Sequence, residues 1–207
     1  PGLTDAHLHL QHYALGLQRI DCETPTQAEC LERVAERARL TPPGEWILGH
    51  GWNQNDWPEG FGTAALLDAV TPHHPVYLTA KSLHAAWANS AALRLAGVTA
   101  QTPDPKGGQI QRGADSQPSG ILFETAMAQV AQAIPEPAIE QIAQAIREAQ
   151  PRLWRMGLTG VHDFDRQACF SALQLLHAAG ELSLRVVKSI PIEALSHAVE
   201  LGLRSGF

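Results

Sequence analysis

Short apolar runs and longer amphipathic stretches alternate along the chain, and the two periods separate strands from helices. The run Leu3 to Leu10 reads as a strand. Behind Thr26 and Glu29, which have capping-box spacing, Leu31, Val34, Ala35 and Ala38 recur at helical intervals. An amphipathic helix is therefore expected over 26–40, ended by Pro42-Pro43-Gly44. Trp46 to Gly49 reads as a short strand, and 50–62, rich in Gly, Asn, Trp and Pro, as a loop. Thr63 is placed to cap a helix running to Val70, and Pro75 to Ala80 reads as a strand. Asn89 to Ala96 reads as a helix with Gly97 just past its end. Residues 99–120 carry Pro103, Pro105, Gly107, Gly108, Gly113, Pro118 and Gly120 and are expected to be turn-rich.

The second half is more regular. Ile139, Ile142, Ala143, Ile146 and Ala149 mark a long helix from about 136 to 156, with a disturbance expected at Pro151. A strand at 158–164, a helix at 167–179 closed by Gly180, a strand at 184–190 and a helix at 192–201 follow. This strand–helix alternation with short connections is the pattern of a parallel sheet with crossover helices, an α/β fold. Three segments are expected: 1–40 with the first strand and helix, an insertion at 41–124, and βα units at 125–207.

Composition narrows the function. The 207 residues have a mass of 22.4 kDa and 44% apolar content, enough for a real core. Against 21 acidic side chains stand 15 basic ones, a formal charge of −6, which gives no electrostatic handle for nucleic acid or an anionic membrane. No apolar run approaches the ~18 residues of a membrane span. Cys22, Cys30 and Cys169 are odd in number and scattered, so free thiols in a reducing cytoplasm are expected. The opening Pro1-Gly2 and the closing Ser205-Gly206-Phe207 read as cut points in a longer chain.

The sharpest chemistry is at the start. In a strand, His7 and His9 point to one face together with Asp5, while Leu8 and Leu10 point to the other. Two neutral imidazoles on one face can grip one divalent metal, and they suit zinc. With ten histidines in the chain, a His-x-His pair is also a common accident, and solvated or core roles compete.

The surrounding blocks supply context. Pro1-Gly2-Leu3-Thr4-Asp5-Ala6-His7-Leu8-His9-Leu10 opens the chain, followed by Gly49-His50-Gly51-Trp52. Then come Ser82-Leu83-His84-Ala85-Ala86-Trp87-Ala88-Asn89-Ser90, Thr102-Pro103-Asp104-Pro105, and Ser119-Gly120-Ile121-Leu122-Phe123-Glu124. Gly157-Leu158-Thr159-Gly160-Val161-His162-Asp163-Phe164 comes last. In this order the sequence resembles the amidohydrolase superfamily, in particular the amidohydrolase 3 or YtcJ-like family that includes N-substituted formamide deformylases. The resemblance covers essentially the whole chain.

The resemblance implies a distorted TIM (β/α)8 barrel, of which this chain is a fragment, with an α+β insertion after the first barrel strand folding over the barrel mouth. Three barrel strands are countable, at 3–10, 158–164 and 184–190. It implies His7 and His9 as ligands of a divalent metal, zinc by preference. The bridging group, two further histidines and a catalytic Asp are implied beyond residue 207. Lys188 is set aside as the bridging group, which the resemblance places on a later strand. The implied activity is hydrolysis of a non-peptide carbon–nitrogen bond, amide or formamide, by metal-activated water, with this stretch alone incompetent. A metal-dependent esterase or phosphoesterase, and a non-catalytic or vestigial binding barrel, are the alternatives. The implied partner is a small-molecule substrate, with neither nucleic acid nor membrane, and a homo-oligomer is left open.

Other residues carry two readings each. His84 can bind substrate or an oxyanion, or make a structural hydrogen bond. Trp87 can line a pocket or pack, and Asn89 can touch substrate or cap the helix behind it. Trp52, with Asn53 and Trp57, can line the substrate pocket or hold its own loop together. Glu124 can reach a metal or substrate, or sit at a helix N-terminus. Asp5 and Asp163 are expected to support the metal ligands from behind.

Overall fold

The computed structural model describes residues 2–204. In chain order the elements are β1 (Leu3–Leu8), α1 (Leu10–Gly16), β2 (Ile20–Asp21), α2 (Gln27–Leu40), β3 (Ile47–Trp52) and α3 (Ala64–Val70). They continue with β4 (Val76–Ala80), β5 (Ala85–Ala88), α4 (Ser90–Leu95), β6 (Gly108–Arg112), β7 (Pro118–Glu124) and α5 (Met127–Ala131). The last are α6 (Ile139–Arg155), β8 (Leu158–Asp163), α7 (Gln167–Ala178), β9 (Arg185–Lys188) and, after a single 3-10 turn at Ile192–Ala194, α8 (Leu195–Glu200). These residues divide into two units, one of 2–18 with 136–204, the other of 19–135.

In the first unit, β1, β8 and β9 form a parallel sheet in that order. The three segments expected as strands at 3–10, 158–164 and 184–190 therefore do pair side by side. Asp163 pairs with Leu8 on one side and with Lys188 on the other, so the carboxyl ends of the strands lie level. Leu10, Ala14, Ile142, Ile146, Val161 and Leu176 are among the residues of its core, contributed by α1, α6, α7 and the middle strand. Pro151 lies inside α6 and does not end it.

Strand β1 stops at Leu8, two residues short of the expected end. The cause is local: the Leu10 N–H donates to Asp163 Oδ1 at 2.9 Å instead of to a strand neighbour. His9 consequently takes φ −102° and ψ 87° and begins α1, a helix that the sequence did not announce.

The second unit is a six-stranded sheet in the order β2-β3-β4-β5-β7-β6. β2, β3 and β4 are parallel, and β4, β5, β7 and β6 antiparallel. Both faces are covered. Leu78, Trp87 and Ile121 face a core shared with Cys30 and Val34 of α2 and Leu67 of α3. Their neighbours Tyr77, Ala86 and Leu122 face a core shared with Leu93 of α4 and Val130 of α5. The unit begins at 19 rather than 41 because α2 packs on β2 and β3, and it runs to 135 because α5 packs on β5 and β7.

Helix starts follow the sequence. Thr26 Oγ1 accepts the Glu29 N–H, Thr63 accepts the Leu66 N–H, and Asn89 Oδ1 accepts the Ala92 N–H. The stretch 99–120, expected to be turn-rich, also carries β6 and the start of β7, which form a hairpin. Its glycines serve close packing: at Gly120 (φ +109°) a Cβ would stand 2.7 Å from both the Ala64 nitrogen and the Ala88 oxygen.

Candidate metal centre

The carboxyl end of β8 holds the carboxyl end of β1 at three consecutive residues. Asp163 Oδ1 accepts the Leu10 N–H at 2.9 Å. The Phe164 ring stacks on the His7 ring, with centroids 4.2 Å apart and planes 18° from parallel. Asp165 Oδ1 lies 3.1 Å from His9 Nδ1, and Asp165 Oδ2 accepts the Gln11 N–H at 2.6 Å. The register that pairs Leu8 with Asp163 brings this about, since it sets Phe164 and Asp165 just past the end of β8 beside His9 and Leu10 just past the end of β1.

The two imidazoles lie close, with ring centroids 5.6 Å apart and planes at 71°. An ion about 2.1 Å from one nitrogen of each ring would sit ~3.2 Å from each centroid, so two rings sharing it stand at most ~6.4 Å apart. The observed separation fits. A carboxylate only accepts, so in the neutral ring the contact with Asp165 selects the tautomer with its proton on Nδ1 and its lone pair on Nε2. This is the carboxylate–histidine arrangement that metal-binding imidazoles use. His7 and His9 thus suit a divalent metal as two of its ligands.

Asp163 does not touch either ring. It is fully buried, with Oδ2 2.8 Å from Lys188 Nζ. Burial works to raise its carboxyl, but the Lys188 ammonium and the N–H groups of Leu10 and Asp165 outweigh it and hold the group below the usual carboxylate range. Lys188 also donates to the Asp165 carbonyl oxygen. Asp163, Asp165 and Cys169 bring their ligand atoms within 4.8 Å of one another. Burial and then the charges of Asp163 and Asp165 push the Cys169 thiol up to about 12, so it stays protonated at neutral pH. A cavity of about 780 Å³ opens beside His9, lined by Gln11, Phe164, Asp165, Arg166 and the start of α6.

The other expected site residues separate. Asp5 Oδ1 accepts the His7 backbone N–H at 2.9 Å and so supports that residue's backbone rather than its ring. In the second unit, His84 Nδ1 lies 3.0 Å from Glu124 Oε1, and both side chains are exposed. Leu83, just before His84, and Glu124 itself lie in the left-handed region (φ +63° and +52°), a cost of order 1–3 kcal/mol each that surrounding structure must hold.

Trp52, Trp87 and Asn89 are fully buried, and the structure gives them the packing and capping readings of the two that each carries. Trp52 Nε1 donates to the Leu78 oxygen and Trp87 Nε1 to the Thr63 oxygen. Asn89 caps α4, accepts the Val76 N–H and donates to the His74 oxygen. Their polar atoms are spent on the backbone, and none is presented to a ligand. Trp57 is likewise buried, its ring stacked on Trp52, with Nε1 donating to the Thr24 oxygen. Asp165, Phe164 and Lys188 were not singled out as parts of the site. The signal for the first two was the Asp-x-Asp at a strand end, spaced like the His-x-His.

A model of the "Amidohydrolase family" matches residues 1–206. The chain belongs to the amidohydrolase family. It is 36% identical over 167 residues to the putative amidohydrolase YtcJ of Bacillus subtilis, covering 80% of this chain and 32% of that protein. It is 42% identical over 130 residues to the N-substituted formamide deformylase of Arthrobacter pascens, covering 61% and 24%. A metal-dependent hydrolase from Pyrococcus furiosus has a similar structure, with a TM-score of 0.72 at 25% identity, over 98% of this chain and 40% of that one. One from Pyrococcus horikoshii gives 0.73 at 26% identity. The chain therefore spans about a quarter to two fifths of the length of these relatives. Among the described residues no helix is long and apolar enough to cross a membrane.

Proposed function

We propose that this chain is part of a longer metal-dependent amidohydrolase that cleaves a non-peptide carbon–nitrogen bond, amide or formamide, in a small molecule. The observation that carries the reading is the His9 Nδ1 contact with Asp165, which leaves a ring nitrogen of His9 available beside the His7 ring. Family membership and the two hydrolase structures support it, and the deformylase relative supports the choice of bond. The sheet β1-β8-β9 is read as the first three strands of a distorted (β/α)8 barrel, whose sites lie at the carboxyl ends of the strands. Exposed Val187, Ile192, Val199 and Leu201 give such a continuation an apolar surface to cover.

His7 and His9 would hold a divalent metal through ring nitrogens, and the chemistry it would supply is acidification of a water and polarisation of the scissile carbonyl. Asp165 fixes the His9 tautomer, and Phe164 keeps water from one face of His7. Asp163 ties the Leu10 N–H to the end of β8 and so holds the two strand ends level. The remaining ligands and the carboxylate that passes the proton to the leaving amine are assigned to residues beyond 207. In the second unit, substrate contact is assigned to His84 and Glu124, exposed and paired.

The test is an assay of the whole protein, stripped of metal and then reloaded, against N-substituted formamides, simple amides and esters. Release of amine, lost on stripping and restored by zinc, is the expected result. Turnover of esters alone, or turnover indifferent to stripping, contradicts the reading.

A further inference from the structure

Lys188 ends β9 directly opposite Asp163. Its side chain is 13% exposed and that of Asp163 0%, so the carboxylate is buried and the ammonium largely so. Replacing a buried ion pair with apolar groups of similar volume is often neutral or stabilising, so a gain in stability does not by itself account for a lysine here.

Its placement does. Asp163 and Asp165 flank Phe164 in one turn, and two carboxylates so near repel each other. The Lys188 ammonium stands at Asp163 Oδ2 and also takes the Asp165 carbonyl. That leaves Asp163 Oδ1 for the Leu10 N–H, Asp165 Oδ2 for the Gln11 N–H and Asp165 Oδ1 for His9. One cation thus sets the rotation of the whole turn.

We propose that Lys188 is a positioning residue for the histidine pair: its ammonium, held by Asp163 and the Asp165 carbonyl, fixes the carboxylate that selects the His9 tautomer. Without it the turn relaxes, and the ring is free to carry its proton on Nε2, the nitrogen needed for metal. The proposal rests on the metal reading of His7 and His9, but its main readout needs no metal.

The test uses ¹⁵N NMR of the whole protein with labelled histidine, metal-free, at about pH 8.5, where an ordinary imidazole is neutral. His9 is assigned by the signal missing from His9→Gln. The wild type is expected to show the proton on Nδ1. Lys188→Met is expected to show Nε2–H or a mixture, and to weaken zinc binding by roughly 10- to 100-fold, the usual cost of losing an orienting partner. A Lys188→Met protein that keeps the Nδ1 proton and the wild-type zinc affinity overturns the proposal, whatever its melting temperature. If that variant does not fold because Asp163 is left charged and alone, Lys188→Met with Asp163→Asn removes both charges and is read in the same way. Wild-type protein that binds no zinc refutes the metal reading, and the tautomer comparison still decides the role of Lys188.

Discussion

His9 and Asp165, 156 positions apart in sequence, meet at 3.1 Å where β1 and β8 end side by side. The contact fixes a proton, and through it the nitrogen that the ring offers. Removing the carboxylate is therefore expected to weaken metal binding without unfolding the protein. Asp165→Ala should lower zinc affinity by roughly 10- to 100-fold in competition with a chromophoric chelator. Asp165→Asn keeps a neutral acceptor for Nδ1–H and should lose less. Equal, wild-type affinity in both variants would refute this.

The Asp163–Lys188 pair gives the fold an acid-sensitive element. The Asp163 carboxyl is held below its ordinary value in the folded chain, so its charged form stabilises the fold. That contribution is fully present above about pH 3.9, the unfolded value, and is lost as pH falls from there through the lower folded value. Asp163→Asn leaves the part-buried ammonium with the Asp165 carbonyl but no carboxylate, and should cost up to about 3 kcal/mol at neutral pH. In urea unfolding, the gap between wild type and variant should shrink below about pH 4. A gap that stays constant from neutral to acid pH contradicts the account.

All three cysteines are buried and free. Burial pushes Cys169 up to about 12, and the neighbouring Cys30 thiol together with burial pushes Cys22 up as well. The thiolate is the reactive form, so Cys22 and Cys169 should resist alkylation at about pH 8 in the native protein, and full burial shields Cys30. Mass spectrometry should find Cys22, Cys30 and Cys169 modified only after denaturation. Rapid native modification of Cys169 would show that its environment is not the one described.

Asn89 joins the α4 cap to the start of β4 through Ala92, Val76 and His74. Loss of the cap costs about 1 kcal/mol, and buried groups left unpaired cost roughly 1–3 kcal/mol more. Asn89→Ala should thus destabilise by about 3 kcal/mol in chemical unfolding, with zinc affinity unchanged. A loss well under about 1 kcal/mol, or a large change in zinc affinity, would return Asn89 to the candidate ligand contacts.

The elements legible in the sequence were those with a clear period or cap. Thr26, Thr63 and Asn89 gave helix starts, and the apolar runs near 158 and 184 gave two strands that pair as a parallel βα sheet should. Strand β5 was hidden because Ala85–Ala88 is buried on both faces of a covered sheet and so shows no alternation. The hairpin β6–β7 was hidden because glycines that permit close backbone approach look like turn residues. Trp52, Trp87 and Asn89 kept two readings each because their partners are backbone groups of Leu78, Thr63, Val76 and His74, which leave no mark in a sequence. At the candidate metal centre, the histidine pair was plain. Asp165 was not, since its role depends on β8 lying beside β1. Lys188 was set aside on the family's ligand order, while its actual neighbours are set by its register with Asp163.

The central claim is that His7 and His9 hold a metal. The direct measurement is the zinc content of the whole protein after reloading and dialysis, for the wild type and for His7→Ala with His9→Ala. The account predicts bound zinc in the wild type and a loss from this site in the double variant, with the fold retained by circular dichroism. A folded double variant that binds as much zinc as the wild type, or a wild type that binds none, would contradict it.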